Sequence, residues 1–205
     1  MVCGRSPGRC CALVALLLVV LGGCASSQMV KLRSAPHNPL SEQLHLTDWG
    51  GPQPTERTAQ FLRVYDLSDQ LNGDPRALLQ KVQAIIDREP SAEKVYAAAE
   101  LSYLEAKKVE GKDRNLALDL YGASVLHAYQ YLFDERFRSL RNPYDPQFRG
   151  ACELYNSALE ASLRIAIHEG TLVPDTTRTI QTAAGKWDIQ CVVRGGRWRK
   201  EDFAH

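Results

Sequence analysis

Two side chains in this sequence, His127 and Cys152, lie in settings where catalytic chemistry has to be considered. A histidine can act as a general base or a metal ligand, and a cysteine thiolate can act as a nucleophile. Helical spacing places His127 on one face with Leu120, Ala123 and Tyr131, and no Cys, Asp or Glu lies three or four residues away to form a metal pair. We therefore predict a core histidine that hydrogen-bonds a neighbour, and a Cys152 thiol that packs as a small hydrophobe on the apolar stripe of its helix.

Longer catalytic motifs are absent from the sequence. It contains no Gly-x-Ser-x-Gly, no His-Glu-x-x-His and no Cys-x-x-Cys, and Gly185-Lys186 lacks the upstream glycine of a phosphate loop. These observations predict no catalytic, cofactor-binding or metal-binding residue and no cofactor.

The segment Arg194-Gly-Gly-Arg-Trp-Arg-Lys200 resembles an Arg-Gly-Gly segment with one aromatic ring. Cations and a stacking ring can bind single-stranded nucleic acid. A single copy also fits a glycine turn in which Trp198 packs and the cations are solvated. We favour the turn and expect no nucleic-acid partner.

The N-terminus carries the signature of an exported protein. Arg5 and Arg9 precede a ten-residue apolar run over residues 12–21, which ends in Gly22-Gly23-Cys24. A cationic start, a short apolar run and small residues before a cut site are typical of a secretory leader. The run is shorter than the roughly 20 residues that a transmembrane helix needs.

Leu21-Gly-Gly-Cys24 resembles the lipobox of bacterial lipoproteins. The resemblance implies a signal peptide over residues 1–23 and a lipid-modified Cys24 that anchors the chain to membrane lipid. Because Ala25-Ser26 is not an Asp-type retention signal, it also implies the outer membrane, facing the periplasm. The alternatives are an ordinary signal peptide or an uncleaved anchor.

Composition bounds the remainder of the chain. The leader holds two of the 25 basic residues and none of the 24 acidic ones, which leaves 23 against 24 and a net charge of −1. This balance gives no global field that would attract nucleic acid. Beyond Cys24 only Cys152 and Cys191 remain, and whether they pair is left open.

Three regions are expected after the signal peptide: the lipidated Cys24 with a tether over 24–54, a helical domain over 55–170, and a β-hairpin extension over 171–205. The tether is rich in Pro and Gly, although Leu44, Leu46 and Trp49 could pack as a partly ordered arm. Five helices are predicted in the domain, because each start carries a capping residue. These residues are Thr55, Asp74, Ser91, Asp113 and Asp145.

The fourth predicted helix carries two apolar stripes, so we expect it to be central, with Leu120 buried. Residues 176–182 and 187–193 alternate and are rich in β-branched side chains, which predicts a hairpin with a turn at 183–186. Its apolar face would carry Trp187, Ile189, Cys191 and Val193. The fold class is therefore mainly α, as a bundle of about five helices or an array of helix pairs, with a C-terminal hairpin.

Two further resemblances concern the helical part. Ala117-x-x-x-Tyr121 resembles the second helix of a tetratricopeptide repeat, although no 34-residue period is present. A second set of segments is similar to the helical N-terminal part of bacterial lipoproteins that continue into an α/β-hydrolase domain. The segments are Tyr65-Asp-Leu67, Glu100-Leu-Ser-Tyr-Leu104, Ala128-Tyr-Gln-Tyr-Leu-Phe133, Asn142-Pro-Tyr-Asp-Pro146 with Phe148-Arg149, and Leu154-Tyr-Asn156.

The second resemblance implies a non-catalytic module, because the catalytic residues of such lipoproteins belong to the downstream domain. The alternative is a tetratricopeptide-like adaptor that binds an envelope protein. A small enzyme that uses His127 or Cys152 is the least favoured hypothesis.

Overall fold

The computed structural model describes residues 38–168, 176–183, 185–190 and 192. Cys24, Gly170, Cys191, Val193 and the segment 194–200 lie outside these residues. The described helices are Leu40–Gln43 (α1), Glu56–Val64 (α2), Pro75–Arg88 (α3), Ala92–Val109 (α4), Arg114–Phe133 (α5) and Pro146–His168 (α6), with 3₁₀ helices at Ser68–Asn72 and Glu135–Leu140. Strands Thr177–Thr182 (β1) and Gly185–Gln190 (β2) pair antiparallel. The mainly helical fold with a C-terminal hairpin is confirmed.

The predicted helix starts are confirmed by their side-chain caps. Asp74 Oδ1 accepts from the Arg76 amide at 3.1 Å, and Asp113 Oδ1 accepts from the Leu116 amide at 2.9 Å. Thr55, Ser91 and Asp145 cap α2, α4 and α6 in the same way. Because a cap satisfies amides that have no partner within the helix, its residue type signals the helix start locally.

The N-terminal arm, defined here as residues 38–54, contains a short helix that the sequence analysis did not predict. Leu40 and Leu44 are buried in the core, and Leu46 packs against it partly buried. Trp49, by contrast, is fully exposed. The described part of the segment taken as a tether is therefore anchored to the domain through its leucines, and Trp49 does not contribute.

Burial is most continuous along α4, although α5, the fourth predicted helix, has the central position that was expected, because it packs against α4, α6 and β1. Every residue from 94 to 106 is buried, including Glu100 and Glu105. Small side chains at Ala97–Ala99 let α5 approach closely, and Ser124 Oγ donates to the Ala99 carbonyl at 2.8 Å. α5 packs between α4 and α6, and Leu120 is buried as predicted.

The hairpin docks on α5 through one strand. Ile180 is buried and lies so close to Gly122 that a Cβ there would sit 2.4 Å from its Cδ1. The Gln181 amide of β1 also donates to Asp119 Oδ1 of α5 at 3.2 Å. Both contacts fix β1 against the helical domain.

The second strand differs from its prediction in extent and burial. β2 begins at Gly185, whose positive φ of 123° is readily accessible to glycine, and Thr182 pairs directly with it. The turn is therefore shorter than the expected 183–186. Trp187 and Ile189 share a face with Ile180 but remain 43% and 48% exposed, so the predicted apolar face is only partly covered.

Candidate functional site

His127 lies on α5 and is buried, as predicted. Burial lowers the pKa of its imidazole to about 4, although a hydrogen bond with the Gln130 side chain opposes this shift. The ring is therefore neutral at pH 7. Its Nδ1 atom has no hydrogen-bond partner among the described residues. Its burial confirms that His127 is a core histidine.

Cys152 lies half-buried on α6 and packs against the core, in accordance with its prediction. Burial raises the pKa of its thiol, and the nearby carboxylate of Glu153 raises it further. A thiol in this state is protonated and is a weak nucleophile. It does not line the groove that His127 lines, and no group of three metal-ligating side chains occurs in the described part of the chain.

Glu100 is a fully buried carboxylate that the sequence analysis did not single out. It accepts from the Thr55 amide at 2.6 Å and from the Thr55 hydroxyl at 2.9 Å, and the side chains of Thr58 and Tyr96 also bond it. Burial raises the pKa of Glu100, while these donors oppose the increase. The carboxylate thus ties the start of α2 to the middle of α4, which is a structural role.

Glu105 also lies buried on α4. It accepts from Lys108 Nζ at 2.7 Å, and the same ammonium donates to the carbonyl of Leu71 at 2.8 Å. Burial raises the pKa of Glu105, and Lys108 opposes this effect. This pair holds the first 3₁₀ helix against α4. Neither buried carboxylate lines one of the two cavities described below.

An apolar groove, here called the hairpin groove, lies between α5 and the hairpin with a volume of about 480 Å³. Its α5 wall includes Tyr129 and Phe133, whose ring centroids are 4.7 Å apart. Trp187 of β2 forms the opposite wall, and these three aromatic side chains are each about half exposed. Exposed aromatic groups around a concave surface are typical of protein-binding sites.

The polar lining of the hairpin groove is sparse. Among the described residues, His127 and Gln83 contribute buried polar atoms without partners, and Asp134 is the only carboxylate that lines the groove. Asp134 is held by Arg136, whose Nη2 lies 2.6 Å from its Oδ2. The groove can therefore bind an apolar surface but offers little to a charged ligand.

A second concavity, here called the arm cavity, lies where the N-terminal arm meets the ends of α4 and α6 and the start of α5. Its volume is about 640 Å³. Asn38, Ser41 and Thr47 supply neutral polar groups from the arm. The Asn38 amide donates to the Tyr103 hydroxyl at 2.6 Å, which fixes the arm on α4.

The helix ends give the arm cavity a positive lining. Of the residues that the structure describes, Lys107, Arg114, Arg164 and His168 line it, with Glu110 as the only acid. Glu110 lies 3.1 Å from Lys107 Nζ and 3.2 Å from Arg164 Nη1. Burial alone would raise the pKa of Glu110, but the Tyr121 hydroxyl and these cations lower it, so the carboxylate is ionised. Its residues come from four separate segments of the chain, so no local pattern in the sequence predicts the cavity.

No helix among the described residues is long and apolar enough to span a bilayer. Comparison of the chain with protein-family models, with curated proteins and with solved structures gives no match.

Proposed function

We propose that this chain is a lipid-anchored module of the bacterial cell envelope that docks a folded protein domain through the hairpin groove. Leu21-Gly-Gly-Cys24 supports the lipid anchor. Two or more acyl chains hold a protein stably on a membrane. The module has a binding role, and its partner carries any catalytic residues.

The observation that carries the docking role is the partial exposure of the hairpin. Trp187 and Ile189 lie on the face that packs on α5, yet about half of each side chain contacts solvent. β1 is held by Asp119 and Gly122, whereas every described residue of β2 after Gly185 is exposed. An exposed strand edge beside an aromatic groove accepts a further strand or an apolar surface.

The resemblance to hydrolase lipoproteins supports one partner above others, an α/β-hydrolase domain whose sheet would extend from β2. The second candidate function is the adaptor that binds an envelope protein. The burial of Ile180 against Gly122 favours this adaptor, because it shows that the hairpin already packs on α5 as part of the helical domain.

Hydrogen exchange on the purified monomer tests the proposal. If β2 awaits a sheet, the amides of residues 185–190 exchange within seconds, and added hydrolase domain from a lipoprotein of that kind protects them. Amides of α4 serve as the internal control, because that helix is buried along most of its length. Slow exchange in the monomer, with no further protection by that domain, would contradict the hydrolase partner and favour the adaptor.

A further inference from the structure

The charges of the arm cavity do not balance. In the described part of the chain, four cationic or basic side chains line it against one carboxylate, and Glu110 is shared between Lys107 and Arg164. Arg164 has a second partner in Glu160 at 3.1 Å. Arg114 makes no ion pair with any described residue. A positive excess in a concave, partly shielded space attracts anions more strongly than the same charges on a flat surface.

The helix dipole explains why Lys107 and His168 lie where they do, but it does not explain the position of Arg114. Lys107 and His168 lie in the last turns of α4 and α6, where cations interact favourably with the helix dipole. Arg114 is the first residue of α5, where a cation is unfavourable. Arginines in the first turns of α2 and α3 have carboxylate partners, with Arg57 at 3.3 Å from Asp145 and Arg76 at 3.4 Å from Asp119.

The shape and the donor set of the cavity fit a phosphate group. Guanidinium groups bind phosphate oxygens through paired N–H donors, and two arginines from different helices line this space. Ser41 and Thr47 add hydroxyl groups from the arm. A volume of about 640 Å³ also leaves room for the group that carries the phosphate.

We propose that the arm cavity binds a phosphate group through Arg114 and Arg164. The phosphate could come from a phospholipid headgroup or from a free phosphate ion. The lipid source rests on the proposed anchor at Cys24. Asn38 is fourteen residues from Cys24 in sequence, so even a fully extended chain keeps the cavity within roughly 50 Å of the lipid.

The test uses the full chain as the expression host processes it, purified in a nonionic detergent, so it does not depend on lipidation. Binding is measured by isothermal titration calorimetry with two ligands. One is inorganic phosphate and the other is dihexanoyl phosphatidylglycerol. Dihexanoyl phosphatidylcholine, whose headgroup is neutral overall, is the lipid control. The variants are Arg114→Gln and Arg164→Gln, with Arg138→Gln as the control, because Arg138 is highly exposed and does not line the cavity.

We expect saturable binding of inorganic phosphate or phosphatidylglycerol at one site per chain. Loss of a charge-assisted hydrogen bond should weaken it about tenfold in Arg114→Gln and in Arg164→Gln, while Arg138→Gln stays within twofold. The ligand that binds more tightly identifies the source of the phosphate group. Arg114→Gln should not lower the melting temperature, since it removes an unfavourable cation. Failure of both ligands to bind, or equal binding by all three variants, would overturn the proposal, whatever the result at Cys24 or β2.

Discussion

The hairpin groove and the arm cavity use the same helix for opposite chemistry. Toward its C-terminal end, α5 presents Tyr129 and Phe133 to an apolar groove; at its start, it presents Arg114 to a cationic cavity. Apolar recognition depends on buried area and is nearly independent of salt, whereas recognition by charge is screened. The two regions should therefore respond differently to mutation, pH and ionic strength.

Removal of core packing should abolish both regions together and is the largest effect expected. Leu120 is buried on α5, and its replacement by alanine should cost about 2–5 kcal/mol of unfolding free energy. The melting temperature by circular dichroism measures this loss. Lys81→Ala is the control, because Lys81 is exposed on α3. Equal melting temperatures for the two variants would contradict the packing of α5.

Acid should lower the stability of the folded protein through His127, which lines the hairpin groove. The folded-state pKa of about 4 lies below the ordinary value of 6.5, so the folded protein prefers the neutral ring. This contribution to stability is complete above pH 6.5 and is lost as the pH falls toward 4, with a total of about 3 kcal/mol.

Chemical denaturation of the wild type and His127→Asn at pH 7 and pH 4 measures this dependence. The variant should lose less stability between the two pH values than the wild type. His45→Asn is the control, because His45 is exposed in the arm and its pair with Asp48 lies on the surface, where ion pairs contribute little to stability. An identical loss in the wild type and His127→Asn would show that the histidine is not the acid-sensitive group.

A substitution at Ile180 should loosen the hairpin beside the hairpin groove and leave the arm cavity unchanged. Ile180→Ala removes the side chain that packs against Gly122 and should lower the free energy of hairpin opening by about 2 kcal/mol. Exchange of the amides in residues 177–182 of β1 should then accelerate about 30-fold. Ile189→Ala is the matched control, since its side chain is about half exposed. Comparable acceleration in both variants would mean that Ile180 does not anchor the hairpin.

Salt gives the smallest effect. Because the Debye length falls from roughly 10 Å at 0.1 M to 3 Å at 1 M salt, phosphate binding to the cavity should weaken several-fold over this range. Hairpin exchange should remain unchanged. A salt-independent phosphate affinity would contradict the electrostatic account of the cavity.

Local signals in the sequence predicted the helices well. The capping residues Thr55, Asp74, Ser91, Asp113 and Asp145 act within three residues of themselves, so a single sequence reveals them. The stripe of α3, from Leu78 to Ile86, follows the helical period and is buried as its spacing indicates.

Distant contacts account for what the sequence analysis missed. The donors to Glu100 come from Thr55, 45 residues away, so its burial has no local signature. The exposed fraction of Trp187 depends on how far β2 reaches over α5, which its alternation pattern does not determine. The arm cavity brings Asn38 near Arg164, and neither side chain indicates the other in sequence. In the sequence, the burial of residues 94–106 of α4 is indicated by the mostly apolar residues that surround Glu100 and Glu105.

Fatty-acid labelling of Cys24 tests the central claim, that the module is held on a membrane by lipid. The full chain, Cys24→Ser and the control Cys152→Ser are expressed in a Gram-negative host with an alkyne analogue of palmitate, and the membrane and soluble fractions are compared. We expect the wild type and Cys152→Ser to be labelled and to sediment with membranes, and Cys24→Ser to lose the label. Unchanged labelling and membrane association of Cys24→Ser would contradict the lipoprotein account.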